Sequence, residues 1–157
     1  MPSPHKTLQE GNLAPLFELE DFKGTTYALS DFIGKKKVVL YFYPKDLTPG
    51  CTTQACDFSK QLTDFNKKKA VVIGISLDPP NRHQKFIEKY QLKHILLSDE
   101  DHKICEQYGV YQEKSLYGKK FMGIVRTTFV IGLDGKIKKV FPKVKVTDHW
   151  KEVLELL

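Results

Sequence analysis

An α/β sandwich with a mixed central β-sheet flanked by helices is what this chain predicts, on three observations. Residues 38–43 (VVLYFY) and 70–77 (AVVIGISL) are unbroken apolar runs rich in β-branched and aromatic residues, the composition of parallel strands buried on both faces. Between them, from Cys51 to about Asn66, Phe58, Leu62 and Phe65 recur at helical spacing, so the unit reads as strand, helix, strand. Asp134-Gly135 lies between the apolar stretches 124–131 and 136–141, a strong hairpin signal that makes the last two strands antiparallel.

The other elements follow in order. After a polar leader, MPSPHKTLQEGNLAP, residues 16–19 and 25–28 flank the turn-like Phe22-Lys23-Gly24, and a small hairpin is expected ahead of the core. A helix is expected from about Pro80, because proline suits the first helical turn and Phe86, Ile87 and Tyr90 share one face. Residues 95–97 form a short strand, and residues 100–108 a short helix that Gly109 ends in the left-handed conformation. Trp150, Val153, Leu154 and Leu157 give a terminal helix its apolar stripe. No linker, repeat or low-complexity segment interrupts this plan, so a single domain spanning residues 1–157 is expected. A chain of that length buries roughly 70% of the surface it exposes when unfolded and needs no disulfide to fold.

Composition narrows the function. The leader has no apolar core followed by a small-residue cleavage site, and no run approaches the roughly 18 apolar residues of a membrane span, so no membrane partner and a cytoplasmic location are expected. The net charge of +6 reflects lysines crowded at 35–37, 67–69 and from Lys114 to Lys151. They are scattered over several elements, with no helix-turn-helix pattern, zinc-finger spacing or aromatic RNA-binding motif to organise them, and they read as solvated surface charge without a nucleic-acid partner. Three cysteines are too few for a secreted disulfide scaffold, and a close pair in a reducing compartment points to catalysis or metal binding.

That pair stands in YFYPKDLTPGCTTQAC. The strand signal ends at Pro44, Thr48-Pro49-Gly50 reads as a turn, and from Thr52 onward nothing breaks a helix, which places Cys51 in a first helical turn. Unpaired backbone N–H groups and the positive end of the helix dipole favour a thiolate there, the form in which cysteine is a nucleophile. The loop also follows the carboxyl end of a parallel strand, where sites of open α/β sheets lie. Four residues separate Cys51 from Cys56, which is not the C-x-x-C of a thioredoxin-type pair. His102 and Cys105 are three apart and form at most half a zinc site, while an iron–sulfur site needs more cysteines than exist, so no metal and no cofactor are expected. On an ideal helix the Cα atoms of Cys51 and Cys56 lie roughly 8–9 Å apart, against the roughly 4.4–6.8 Å that a disulfide spans. If the two bond, the start of the helix must unwind.

These residues resemble a known family, the peroxiredoxins, and within it the bacterioferritin comigratory protein or peroxiredoxin Q subgroup. The family pattern P-x-x-x-T-x-x-C is matched by Pro44, Thr48 and Cys51, its arginine on a later strand by Arg126 in IVRTTFVIGLDGKI, and the subgroup's second cysteine by Cys56. The segment LLSDEDHKICEQYGV is also similar to the subgroup, and the likeness runs from about Leu8 to the carboxyl terminus. The resemblance implies a thioredoxin-like fold and reduction of hydrogen peroxide and organic hydroperoxides, with thioredoxin as the electron donor. Cys51 would attack the peroxide, and Cys56 would resolve the product. Arg126, the Thr48 hydroxyl and the backbone N–H of Cys51 would stabilise the moving charge, while Pro44 would shield the sulfur from water. The chain carries no cysteine-bearing tail after the terminal helix, which removes the intersubunit disulfide of larger relatives and makes a monomer the expectation.

Plainer readings stand beside these roles. Arg126 on its own is an ordinary strand arginine, Thr48 a turn residue, and Gln54 either a partner of Arg126 or a solvated helix glutamine. Cys105, beside Ile104 in an amphipathic helix, reads as a small core residue rather than a second resolving thiol. A thioredoxin-fold redox sensor or holdase without peroxidase turnover would use the same cysteine pair, and a basic nucleic-acid binder would carry it incidentally. Turnover of peroxide with thioredoxin, its reductase and NADPH separates the enzyme from both.

Overall fold

The computed structural model describes residues 8–157, and residues 1–7 of the polar leader lie outside the described residues. In chain order the elements are β1 (Glu18–Glu20), β2 (Thr26–Ala28), a 3-10 turn (Leu29–Asp31), β3 (Lys37–Phe42), α1 (Pro49–Lys60), α2 (Leu62–Lys67), β4 (Ala70–Ser76), α3 (Pro80–Tyr90), β5 (Ile95–Ser98), α4 (Lys103–Gln107), β6 (Tyr111–Leu116), β7 (Lys119–Ile124), β8 (Thr127–Ile131), β9 (Ile137–Phe141) and α5 (His149–Glu155). The main sheet runs β5-β4-β3-β8-β9, with β3, β4 and β5 parallel and β8 antiparallel to both its neighbours. The mixed sandwich expected from the apolar runs is thus the fold.

Side-chain alternation on β3 sets the layers, because successive residues of a strand face opposite sides. Val38, Leu40 and Phe42 join a core with Leu29, Ile75, Leu97, Cys105, Tyr108 and Phe129. Val39, Tyr41 and Tyr43 join a second core with Cys51, Ala55, Phe58, Phe65, Phe86 and Val153. Helices α1, α2, α3 and α5 therefore cover one face, and the β1–β2 hairpin with α4 covers the other. Phe42 is paired with Thr127 in the antiparallel β3–β8 register, so the start of β8 lies beside the end of β3. That pairing brings Arg126 toward the loop that follows β3.

Several boundaries differ from the expectation, each for a local reason. The stretch 51–66 is two helices. Gln61, at φ −96° and ψ 10°, ends α1, and the break brings the Phe58 and Phe65 rings to 5.6 Å, although seven residues of straight helix would offset them by about 10.5 Å. The helix begins at Pro49 rather than after a turn at 48–50, proline being suited to the first helical position. The helix expected over 100–108 is shorter. Its start waits for His102, at φ 54°, and the Asp99 carboxylate accepts hydrogen bonds from the N–H groups of Ile104 and Cys105, while Gly109, at φ 72°, ends it as expected.

The stretch 124–131 is not one strand. Ile124 closes β7, Val125 N–H turns away to Val110 O at 2.9 Å, and β8 begins at Thr127. The β6–β7 hairpin itself had no counterpart in the sequence reading. Its two-residue turn is Tyr117-Gly118, both at positive φ, where an Asn-Gly or Asp-Gly signal is the usual mark.

Core packing leaves no room for a side chain on β4 where it lies beside Tyr41 of β3. Tyr41 is paired with Gly74, and a Cβ on Gly74 would lie 2.7 Å from Tyr41 Cζ and 2.8 Å from Leu96 Cδ2. Tyr41 in turn stacks on Phe58 at 4.9 Å, and its hydroxyl lies 2.7 Å from His94 Nε2. Replacing Gly74 by alanine should destabilise the fold by about 1–3 kcal/mol, seen as a lower urea midpoint. An unchanged midpoint would show that the Tyr41 ring has room to move aside.

Candidate active site

The site is built where the central strand ends and a helix begins. Beyond β3 the chain turns through Tyr43–Thr48 and enters α1, of which Cys51 is the third residue. The first helical bond runs from Thr52 N–H to Thr48 O at 2.8 Å. The N–H groups of Gly50 and Cys51 precede that bond and point out of the helix end, where its dipole is positive. Cys51 is 1% exposed and packs with Tyr41, Tyr43, Ala55 and Phe58.

Arg126 reaches the sulfur from the other side. Its Nη2 donates to Cys51 Sγ at 3.3 Å and its Nη1 donates to Gln54 Oε1 at 2.7 Å, so one guanidinium grips two residues on adjacent turns of α1. Gly50 gives it room, since a Cβ there would lie 3.2 Å from Arg126 Nη2. Gln54 is buried, which decides between its two readings in favour of the arginine partner. Thr48 donates its hydroxyl proton to Lys45 O at 2.7 Å, leaving its oxygen as an acceptor rather than the donor expected. Pro44 is half-buried at the start of the loop.

Cys56 lies five residues on in the same unbroken α1, half-buried, and all three cysteines are free thiols. Burial, and then the charge of Asp57, push the Cys56 thiol above its ordinary value, so it rests protonated. Cys105 is fully buried in the opposite core, across the sheet from Cys51, and burial pushes its thiol up strongly. The small-core-residue reading of Cys105 fits that position. His102 stacks on Tyr111 at 4.4 Å instead of converging with Cys105. Among the described residues no cluster of three or more histidine, cysteine or acidic side chains is placed to hold a metal, and no helix is long and apolar enough to cross a membrane.

What the sequence reading missed is the anchor under the loop. Asp46 and His83 are both fully buried. The Tyr43 hydroxyl donates to Asp46 Oδ1 at 2.6 Å, and His83 Nδ1 lies 2.5 Å from Asp46 Oδ2. Asp46 N–H donates to Asp78 Oδ2 at 2.8 Å, and Asp78 also takes the Ser76 hydroxyl and Arg82 Nε. Burial and Asp46 hold the Tyr43 phenol well above its ordinary range, so it remains a donor. The network fixes Leu47 in the left-handed region, at φ 67°, a conformation that costs a branched residue roughly 1–2 kcal/mol. Asp46 sits in the quoted motif, but its partner lies 37 residues away, beyond the reach of any local pattern.

Known proteins are similar to this chain over most of its length. The AhpC/TSA family pattern matches residues 11–140. The peroxiredoxin Bcp of Bacillus subtilis is 48% identical over 151 residues, covering 96% of each chain. The peroxiredoxin Bcp of Escherichia coli is 47% identical over 150 residues, again covering 96% of each. Among solved structures, a cysteine-to-serine mutant of Xylella fastidiosa PrxQ superposes with a TM-score of 0.90 at 34% identity, over 96% of both chains. The bacterioferritin comigratory protein of Xanthomonas campestris, described with an alkyl peroxide reduction activity, superposes with a TM-score of 0.84 at 38% identity, over 89% of this chain and 88% of that one.

The anchor under the loop is open to a direct test. Asp46→Asn removes one member of a buried ionisable pair and should cost about 3–5 kcal/mol in chemical denaturation. Wild-type stability in that variant would show that the Tyr43 and His83 contacts carry no net energy.

Proposed function

The chain belongs to the AhpC/TSA family, within its bacterioferritin comigratory protein branch of thioredoxin-fold peroxiredoxins, and on that premise we propose how it works as a thiol peroxidase. The contact that carries the reading is Arg126 Nη2 on Cys51 Sγ at 3.3 Å, at a helix N-terminus. Cys51, as thiolate, attacks the terminal oxygen of hydrogen peroxide or an organic hydroperoxide. The S–O bond forms as the O–O bond breaks, sulfur becomes a sulfenic acid, and the leaving oxygen takes a proton and departs as water or alcohol.

Negative charge moves along that line from sulfur to the far oxygen. Fixed donors beside it lower the barrier without having to reorganise. The Arg126 fork and the N–H of Cys51 supply them, Gln54 orients the fork, the Thr48 oxygen accepts from the peroxide O–H, and Pro44 shields the sulfur. Cys56 is the resolving thiol. It attacks the sulfenic sulfur with loss of water, and the resulting disulfide is reopened by exchange with a dithiol, for which thioredoxin is the proposed donor. The enzyme works as a monomer in the cytoplasm, without cofactor or metal.

Peroxide consumption coupled to thioredoxin, its reductase and NADPH tests the cycle. Cys51→Ser should abolish it, because a hydroxyl is a far weaker nucleophile, and substantial retained turnover would sink the mechanism. Cys56→Ser should leave the first oxidation nearly intact and let Cys51 gain further oxygens, visible by mass spectrometry. A bond between Cys51 and Cys105 in that variant would overturn the resolving role given to Cys56.

Hydrogen exchange tests the rearrangement. In the disulfide form residues 48–58 should lose protection while β3 and β4 keep theirs, because the start of α1 must unwind for the sulfurs to meet. Equal protection in the two redox forms would mean that Cys56 is not the partner.

A further inference from the structure

Arg126 stands on a short irregular link between β7 and β8, and that link is held from outside itself at several points. Val125 N–H donates to Val110 O at 2.9 Å, the Thr127 hydroxyl donates to Val125 O at 2.8 Å, and Val144 N–H donates to Arg126 O at 2.9 Å. The remaining hold is a charged one, from Lys114 Nζ on β6 to Ile124 O at 2.9 Å. Ile124 is the last residue of β7, two before the arginine.

The path of Lys114 is built rather than incidental. Lys114 is paired across the hairpin with Phe121, and its stem crosses the bare backbone of Gly123, where a Cβ would lie 3.3 Å from Lys114 Cδ and 3.4 Å from Phe121 Cε2. Fixing a lysine stem in one path forfeits rotamer freedom that a free surface lysine keeps. The ammonium also comes close enough to the site to feel its charges. Burial and Arg126 push it down, and Cys51 pulls it back up. A cation drawn into part-burial beside another cation needs compensation, and the Ile124 carbonyl 2.9 Å away gives it.

We propose that Lys114 is a positioning residue of the peroxide step, its ammonium clamping the Ile124 carbonyl so that the Arg126 fork stays aimed at the Cys51 sulfur. This rests on the peroxidase function proposed above. It assigns the β6–β7 hairpin a part in the reaction: one strand supplies the clamp and the other carries the carbonyl it holds.

Single-turnover oxidation of Cys51 by hydrogen peroxide tests the clamp, compared with iodoacetamide alkylation of the same sulfur and with thermal unfolding. Lys114→Met should slow oxidation about ten- to a hundredfold, the scale of a small misplacement in a reacting constellation. It should slow alkylation far less, because that reaction has no peroxide oxygens for the fork to orient and stabilise, and it should leave the unfolding temperature within a few degrees. Lys114→Arg, which keeps a charged donor on a long stem, should restore most of the oxidation rate. A wild-type oxidation rate in Lys114→Met would overturn the clamp, as would oxidation, alkylation and unfolding temperature falling together. A wild-type chain without peroxide turnover that depends on Cys51 would overturn the peroxidase function instead, a result distinguishable from a working enzyme indifferent to Lys114.

Discussion

A sulfur that is to carry negative charge inside a protein must be met by donors already in place, because the interior does not solvate it. Everything around Cys51 answers that demand. The residue is buried, so its compensation comes from a helix end on one side and a guanidinium on the other. These belong to segments 75 residues apart, and only the sheet brings them together. The parallel run β3–β4 aims the loop outward at the carboxyl end, and the antiparallel insertion of β8 next to β3 returns the chain to that same end with Arg126 at its start. A parallel β8 would have delivered the arginine to the far edge of the molecule.

The loop and the helix it feeds meet opposite mechanical requirements. Up to Leu47 the chain is held by a buried network of Tyr43, Asp46, Ser76, Asp78 and His83 that sustains a strained backbone. Beyond it, Thr52 N–H on Thr48 O ties the first turn of α1 to the loop, and the Thr53 hydroxyl on Pro49 O lies within the helix itself. Strain persists only where surroundings over-determine it, as this network does at Leu47. In the cycle proposed above, the boundary between the fixed and the unwinding part of the site falls within the motif itself, a few residues before the sulfur.

How much of this is legible from sequence depends on the range of the interaction. Runs such as 38–43 and 70–77, the Asp134-Gly135 turn and the proline at the start of α3 are local signals, and the structure follows them. The cysteine at a helix start and the arginine beyond it were found by motif and spacing. What escaped is long-range or locally atypical. Both strands of the β6–β7 hairpin are largely exposed, so no apolar alternation marks them, and Tyr117 takes a left-handed conformation that asparagine usually fills. The break at Gln61 has no proline or glycine to announce it and is understood only from the two phenylalanine rings it lets meet. The Asp46–His83 pair joins the loop after β3 to the first turn of α3 through the core, and the Lys114 contact crosses a hairpin that no local signal marks.

The placement of Cys105 in the opposite core has a consequence for fidelity. Three thiols admit three pairings, and random oxidation of an unordered chain would sample them all. Here the central sheet stands as a wall between Cys105 and the other two, while Cys51 and Cys56 share one helix on one side of it. Oxidant entering this molecule therefore meets a choice already made by topology. Both pairings that involve Cys105 are walled off, and in the cycle proposed above the chain can pass repeatedly between its redox states without losing track of which sulfur belongs to which.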